Sequence, residues 1–85
     1  MHPYWVTFEK LPRPSIFGLG FGVTARSELD AREIVVAAIG EKPRIMSVAV
    51  IEDIASLDQG HVIPNMGNIF ARGIWFPLGY APPEN

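Results

Sequence analysis

Cysteine is absent from this chain. Its absence excludes disulfides, thiol nucleophiles and thiolate metal ligands, and it favours a reducing, cytoplasmic setting because small secreted domains usually depend on disulfides. A basic cluster is absent as well, since the 7 lysines and arginines are spread along a chain whose net charge is −2. Binding to the phosphate backbone of a nucleic acid therefore has little support, and we expect no nucleic-acid partner.

Long apolar runs and a signal sequence are also lacking. No uninterrupted apolar stretch approaches the ~18 residues that a membrane-spanning helix needs. The start of the chain, M-H-P-Y-W-V-T-F-E, has neither the basic beginning nor the apolar run of a signal peptide. The sequence therefore predicts a cytoplasmic protein without a membrane partner.

The chain does contain enough apolar material for a core. It has 85 residues, of which 48% are hydrophobic, and this favours one small folded domain. A domain of this size buries a modest share of its surface, so self-association would add stability. We expect residues 1–80 to form the domain and residues 81–85, A-P-P-E-N, to be a mobile tail.

Two strands are predicted at the beginning. Residues 4–9 alternate between two faces in a pattern of aromatic and β-branched residues that is typical of a strand. Residues 16–25 alternate too: large apolar side chains from residue 17 to residue 23 fall on one face, and Gly18, Gly20 and Gly22 fall next to one another on the other. A bare glycine face weakens a strand unless an aromatic ring covers it, and Trp5 or Trp75 could do so.

The same glycines have a second interpretation, a phosphate-binding loop that leads into a helix. Their spacing, G-L-G-F-G, matches neither G-x-G-x-x-G nor the P-loop pattern. The structural interpretation is therefore favoured, and no cofactor is expected.

A helix is predicted from Ser27 to residue 39, where Gly40 provides the stop. The helical period places one apolar stripe towards the core, consisting of Ala31, Ile34, Val35 and Ala38 with Ile39 at its margin. Leu29 and Val36 fall on the opposite, charged face. They are either ordinary scattered surface residues or a second contact surface, for a loop of the chain or for another copy of it.

Two further strands follow the helix. Residues 44–52 are apolar on both faces, which predicts a central strand that runs parallel to one of the first two. Residues 52–68 predict a loop with a short helical or extended turn, and residues 69–76 predict a fourth strand interrupted at Gly73. The expected fold is α+β, in the order β-β-α-β-β, with one helix packed on a mostly antiparallel sheet of three or four strands.

Asp58 and His61 are the candidates for catalysis. In D-x-x-H the carboxylate could orient the imidazole as a general base. In the alternative, Asp58 caps a turn and His61 bonds to the backbone; we favour it because residues 58–76 contain no serine, cysteine or lysine nucleophile. His2 and His61 alone are too few ligands for a metal site, so none is expected.

Asn65, Asn68, Arg72 and Trp75 are the candidates for binding a ligand or partner. The two amides could present hydrogen-bonding groups beside the indole, with Arg72 as an anion anchor. The segment P-N-M-G could equally be a turn whose role is to position the last strand.

Several pieces of the chain resemble a group of small uncharacterised bacterial proteins. They are L-D at residues 57–58, H-V-I-P-N-M-G at 61–67 and R-G-I-W-F-P at 72–77, with a Tyr/Trp strand at the start and G-V-T-A at 22–25. The resemblance implies a stand-alone bacterial domain and brings no activity, cofactor or catalytic residue with it.

The sequence thus favours a non-catalytic binding or accessory module that acts through residues 58–76. Its partner would be another copy of the chain or a different protein. The alternative is a small hydrolase or isomerase with His61 as base and Asp58 as its orienting partner.

Overall fold

The computed structural model describes residues 1–9, 20–40, 44–57, 59–60 and 62–77. The elements in chain order are β1 (His2–Phe8), β2 (Phe21–Ala25), α1 (Glu28–Ile39), β3 (Ile45–Val50) and β4 (Gly73–Phe76). Two single-turn 3-10 helices, Ile54–Ser56 and Ile63–Asn65, lie in the connection between β3 and β4. The predicted α+β class and the order β-β-α-β-β are confirmed.

The strands form one sheet in the order β3-β1-β2-β4, and every neighbouring pair is antiparallel. Since β2 and β3 both run antiparallel to β1, they run parallel to each other with β1 between them. This confirms that the third strand runs parallel to one of the first two.

The prediction that β3 is a central strand is wrong, because β3 lies at an edge of the sheet. One edge of β1 is occupied by β2, so the crossover through α1 passes over β1 and delivers β3 to the other edge of β1. Met46 and Val50 are consequently 63% and 51% exposed. Apolar residues on both faces of β3 were a misleading sign of burial.

The fourth strand is shorter than predicted, since it begins at Gly73 rather than at residue 69. The residues before it close a turn, in which Ala71 N–H donates to the Asn68 carbonyl at 3.4 Å. Gly73 itself has a φ of 136°, a backbone conformation that side chains disfavour. The chain therefore changes direction up to Gly73 and becomes extended only there.

The helix begins and ends where the sequence predicts. Ser27 Oγ accepts a hydrogen bond from Asp30 N–H at 3.1 Å, and Gly40, with a φ of 81°, donates to the Val36 carbonyl at 2.8 Å. Of the predicted core stripe, Ala31 and Val35 are buried and Ile34 and Ile39 are partly buried. Ala38 is exposed instead, because it lies over a groove at the edge of the sheet.

Both faces of the sheet are covered, by two different layers. On one face α1 packs over a helix-side cluster, formed by Tyr4, Val6, Phe8, Phe21, Val23, Ala25, Ala31, Val35 and Ile74. On the other face the β3–β4 connection packs over a loop-side cluster, formed by Val62, Trp75 and Phe76 with Trp5, Ile51, Leu57, Met66 and Ile69. The connection is thus a structural layer of the fold.

The glycine face of β2, with Gly20 just before the strand and Gly22 within it, packs against the tryptophans of the loop-side cluster. A Cβ atom added at Gly20 would lie 2.6 Å from Trp5 Nε1, and one added at Gly22 would lie within 3.0 Å of three ring atoms of Trp75. Each tryptophan therefore covers one glycine, which confirms the predicted aromatic cover for these two positions. The phosphate-binding alternative is wrong for them, because the indoles occupy the space that a phosphate would need.

Some predictions fall outside the described residues, namely the first part of the second strand (residues 16–19) and the tail at residues 81–85. In the described ranges, no helix has both the length and the apolar character needed to cross a membrane.

Gly22→Ala tests the contact between β2 and the indole. The added methyl group would collide with Cη2, Cζ3 and Cζ2 of Trp75. We expect the free energy of unfolding to fall by about 2 kcal/mol, the usual cost of overpacking a core. Urea denaturation followed by circular dichroism measures it.

Trp75→Phe provides the matched background, because phenylalanine lacks the far ring atoms that meet Gly22. In a double-mutant cycle, Gly22→Ala should cost much less when residue 75 is phenylalanine. Equal costs in both backgrounds would show that the indole is not the reason for glycine at this position.

Candidate functional site

The turn at residues 68–71, here called the Phe70 turn, lies at the end of the β3–β4 connection, just before β4. Asn68 closes it with its side chain, since Phe70 N–H donates to Asn68 Oδ1 at 2.9 Å. This Asx-type bond adds to the weaker bond between Ala71 N–H and the Asn68 carbonyl. The side chain of Asn68 therefore stabilises the turn, although Asn68 is exposed to solvent.

A buried threonine fixes the first side of the turn. Thr24 on β2 is 3% exposed, and its hydroxyl donates to the Ile69 carbonyl at 2.5 Å. The Ile69 side chain packs against the loop-side cluster. Residue 69 is thus held to the sheet by both its backbone and its side chain.

An ion pair fixes the second side of the turn. Arg72 Nε donates to Asp30 Oδ2 at 3.0 Å and Arg72 Nη2 donates to Asp30 Oδ1 at 2.5 Å, which is a bidentate arrangement. The Asp30 side chain is only 14% exposed, whereas that of Arg72 is 44% exposed. Arg72 therefore ties the chain just before β4 to the first turn of α1.

Asp30 also completes the helix cap. Its Oδ2 accepts a hydrogen bond from Arg26 N–H at 2.9 Å, while its own N–H donates to Ser27. The hydrogen bond from Arg72, followed by that from Arg26, lowers the pKa of Asp30 from 3.8 to about 2. The same bond to Asp30 raises the pKa of Arg72. The carboxylate is thus shared by the helix start and the Phe70 turn.

Phe70 projects from this doubly anchored turn. It is 87% exposed, the highest value among the large hydrophobic residues that the structure describes as exposed. The residues on both sides of it are held, by Thr24 through Ile69 and by Asp30 through Arg72. The result is an aromatic side chain presented to solvent on a constrained backbone.

A groove of about 420 Å³ lies beside the turn, between α1 and β4. We call it the edge groove; it is lined by Glu33, Ile34, Ala37, Ala38, Arg72, Gly73 and Ile74. Its floor is apolar and its two charged groups have opposite signs. It is small and open at the edge of the sheet, and Arg72 directs its guanidinium to Asp30.

The predicted binding residues are not brought together in this groove. Asn65 and Asn68 are exposed on the connection, and neither lines the groove. Trp75 is 1% exposed and packs at a ring-centroid distance of 6.1 Å from Trp5, so it supports the sheet from within. Arg72 lies in the groove, but its guanidinium is bound to Asp30, which places a carboxylate where an external anion was expected.

The remaining predicted residues divide into two groups. Asp58 and His61 lie outside the described residues, so the catalytic hypothesis stays a prediction. Leu29 and Val36 are 65% and 37% exposed on the outer face of α1. Their use as a contact surface also stays a prediction. Within the part of the chain that the structure describes, no three metal-ligating side chains gather at one point.

Phe70 and Asp30 are the residues that the sequence analysis missed as parts of a site. Phe70 was placed inside a strand, where alternation would bury it or pair it with a neighbour. The signal against this was Asn68, a residue type that closes turns, two positions earlier. Asp30 stands three residues after Ser27, at the capping-box position, but nothing local could show that Arg72, distant in sequence, would reach it.

Comparison of the chain with protein-family models, with curated proteins and with solved structures finds no match. The resemblance to small bacterial proteins stays an expectation, and the site is defined by the geometry described above.

Asp30→Asn tests the junction between the helix and the turn. Because the pKa of folded Asp30 is about 2, below the ordinary 3.8, the carboxylate stabilises the fold fully above pH 4. That contribution is lost as pH falls through about 2. We expect the variant to be less stable than the parent at pH 7, with the difference disappearing only below pH 2, as measured by urea denaturation across this range.

Glu28→Gln is the matched control on the same helix. Glu28 Oε1 lies 3.5 Å from Arg32 Nη2 in an exposed pair of the kind that contributes little to stability. Its substitution should leave the unfolding midpoint nearly unchanged at pH 7. A loss as large as that of Asp30→Asn would mean that the junction has no special role.

Proposed function

We propose that the protein is a non-catalytic binding module that contacts another protein through the Phe70 turn. The observation that carries the proposal is the 87% exposure of Phe70 on a backbone that is anchored on both sides. The turn lies within the residues 58–76 that the sequence favours as the contact segment.

Exposure of this side chain is unfavourable for an isolated molecule. Burial of a phenylalanine contributes about 1.5–3 kcal/mol, and here almost none of that is realised within the chain. The other exposed large hydrophobic residues range from 37% to 65% exposure. Phe70 therefore offers the largest gain on contact with a partner.

The rigidity of the turn supports binding in a second way. Association is weakened by the entropy lost when flexible groups become ordered. Hydrogen bonds from Thr24 and Arg72, together with the Asn68 side chain, already restrict the backbone around Phe70. Little further ordering is required when the ring enters a pocket.

The surroundings of Phe70 resemble the anatomy of a small interface. Aromatic anchors at interface centres are commonly ringed by polar groups that remain hydrated. Asn68 and Arg72 provide such groups next to the ring in sequence, and the Asp30 carboxylate neutralises the charge of Arg72. The matching partner is a protein that presents an apolar pocket of the size of one aromatic ring.

Phe70→Ala tests the proposal with peptides selected from a displayed random library on the immobilised parent protein. We expect the affinity of the selected peptides to fall roughly 30-fold, since truncation of an aromatic anchor costs about 2 kcal/mol or more. Titration calorimetry on the purified proteins measures it.

Leu29→Ala is the matched control, because Leu29 is also a large exposed apolar residue but lies on the helix. It should leave peptide affinity unchanged. The free energy of unfolding of Phe70→Ala should stay within about 0.5 kcal/mol of the parent, as expected for a surface change. Peptides that bind Phe70→Ala as tightly as the parent would refute the proposal.

A further inference from the structure

We infer that two copies of the chain associate through β3, pairing antiparallel about Val48 so that one sheet runs through both copies. This interface lies at the opposite edge of the sheet from β4 and does not depend on the contact proposed for Phe70.

The outer edge of β3 is open to a partner strand. Nothing in the described part of the chain pairs with it, since β3 is the terminal strand of the sheet. Natural edge strands are usually protected by lysine, proline, inward-pointing charges or a β-bulge, and the irregularity of β3 is confined to its beginning. Between Arg44 and Glu52, β3 and its flanks contain no charged residue and no proline, while Met46 and Val50 expose apolar surface.

The backbone of β3 has hydrogen-bonding groups directed outwards at known positions. Ile51 N–H donates to the Pro3 carbonyl at 2.9 Å, so Ile51 faces β1. Residues along an antiparallel strand alternate between the two neighbours, and the register with β1 is regular from Ser47 to Val50. The N–H and C=O groups of Val48 and Val50 therefore point away from β1, towards the open edge.

The sequence around Val48 is complementary to itself when reversed. Antiparallel pairing of Val48 with Val48 of the second copy places Met46 opposite Val50, so the two most exposed apolar side chains of β3 cover each other. The same register places Arg44 of each copy opposite Glu52 of the other. Both ends of the interface then carry an attractive charge pair, as a two-fold symmetric contact requires.

The beginning of β3 pairs irregularly with β1, and this limits the residues that can pair regularly with a second copy. The pairing with β1 shifts between Thr7 and Phe8, opposite the start of β3. The regular part available to a second copy is thus Ser47 to Val50. Met46, Arg44 and Glu52 lie beyond it, and their long, exposed side chains can span a shift of one residue.

The outer face of α1 is less suited to self-association. Leu29 and Val36 are separated there by Arg32, which forms an ion pair with Glu28. Burial of this face would remove charges from water, whereas pairing along β3 buries apolar side chains and satisfies open backbone groups.

Charge exchange tests the register. Sedimentation velocity of the full chain over a wide concentration range should show monomers in equilibrium with dimers. Arg44→Glu and Glu52→Arg should each weaken dimerisation at least tenfold, because each places like charges at both ends of the interface. An equimolar mixture of the two variants, and the double variant, should regain dimers because opposite charges meet again.

Val50→Pro tests the backbone pairing. The N–H that proline lacks points to the open edge, so the bonds to β1 are retained and circular dichroism should show a folded protein. Dimerisation should be lost. Leu29→Asp, on the outer face of α1, should leave the dimer intact.

Two results would overturn the inference. One is a parent chain that stays monomeric at every concentration. The other is a dimer that tolerates each single charge change or depends on Leu29. If Val50→Pro does not fold, the mixture of the two charge variants decides, since neither change touches the core. Loss of the dimer would leave peptide binding at Phe70 unaffected, so the two proposals fail separately.

Discussion

The contact between the glycine face of β2 and two indole rings is the constraint on which the rest of the structure depends. Gly20 and Gly22 let Trp5 and Trp75 lie directly on the backbone of the strand. Large aromatic surfaces are thereby placed on the face of the sheet opposite the helix, and they have to be covered. The β3–β4 connection covers them through residues such as Val62, which is why a segment rich in turns packs as a layer.

This second layer determines where the Phe70 turn lies. Ile69 packs into the loop-side cluster and accepts the Thr24 hydroxyl, so the chain leaves the layer at a defined point. Three residues later Arg72 meets Asp30 at the start of the helix. The turn thus joins the two layers across the edge of the sheet, and Phe70 is at the place where neither layer can bury it.

The two edges of the sheet have different surroundings. At the β4 edge, the Trp75 carbonyl accepts a hydrogen bond from Gly67 N–H at 2.6 Å, and the edge groove and the Phe70 turn lie nearby. At the β3 edge no strand of the described residues pairs with the outer backbone groups, and Met46 and Val50 expose apolar side chains. We therefore assign the two proposed contacts to opposite edges, so that a dimer formed through β3 would display two Phe70 turns.

Local patterns were sufficient for the elements of this protein. The alternation in β1, the cap at Ser27 and the stop at Gly40 depend on residues close in sequence, and all were predicted correctly. The aromatic cover of the glycine face was also predictable, because a bare strand face requires one. The sequence by itself thus determined the α+β class and most of the helix and strand positions.

The tertiary structure alone decided the rest, because long-range pairing carries no local signature. Apolar residues on both faces of β3 are compatible with a central strand or an edge strand, and only the crossover over β1 placed it at the edge. Likewise, the sequence gives no partner for the charge of Arg72, and only the tertiary structure places Asp30 beside it. From the sequence alone, Phe70 was predicted to lie in a strand. Its exposure results from the contacts that hold its neighbours Ile69 and Arg72, and these contacts are visible only in the tertiary structure.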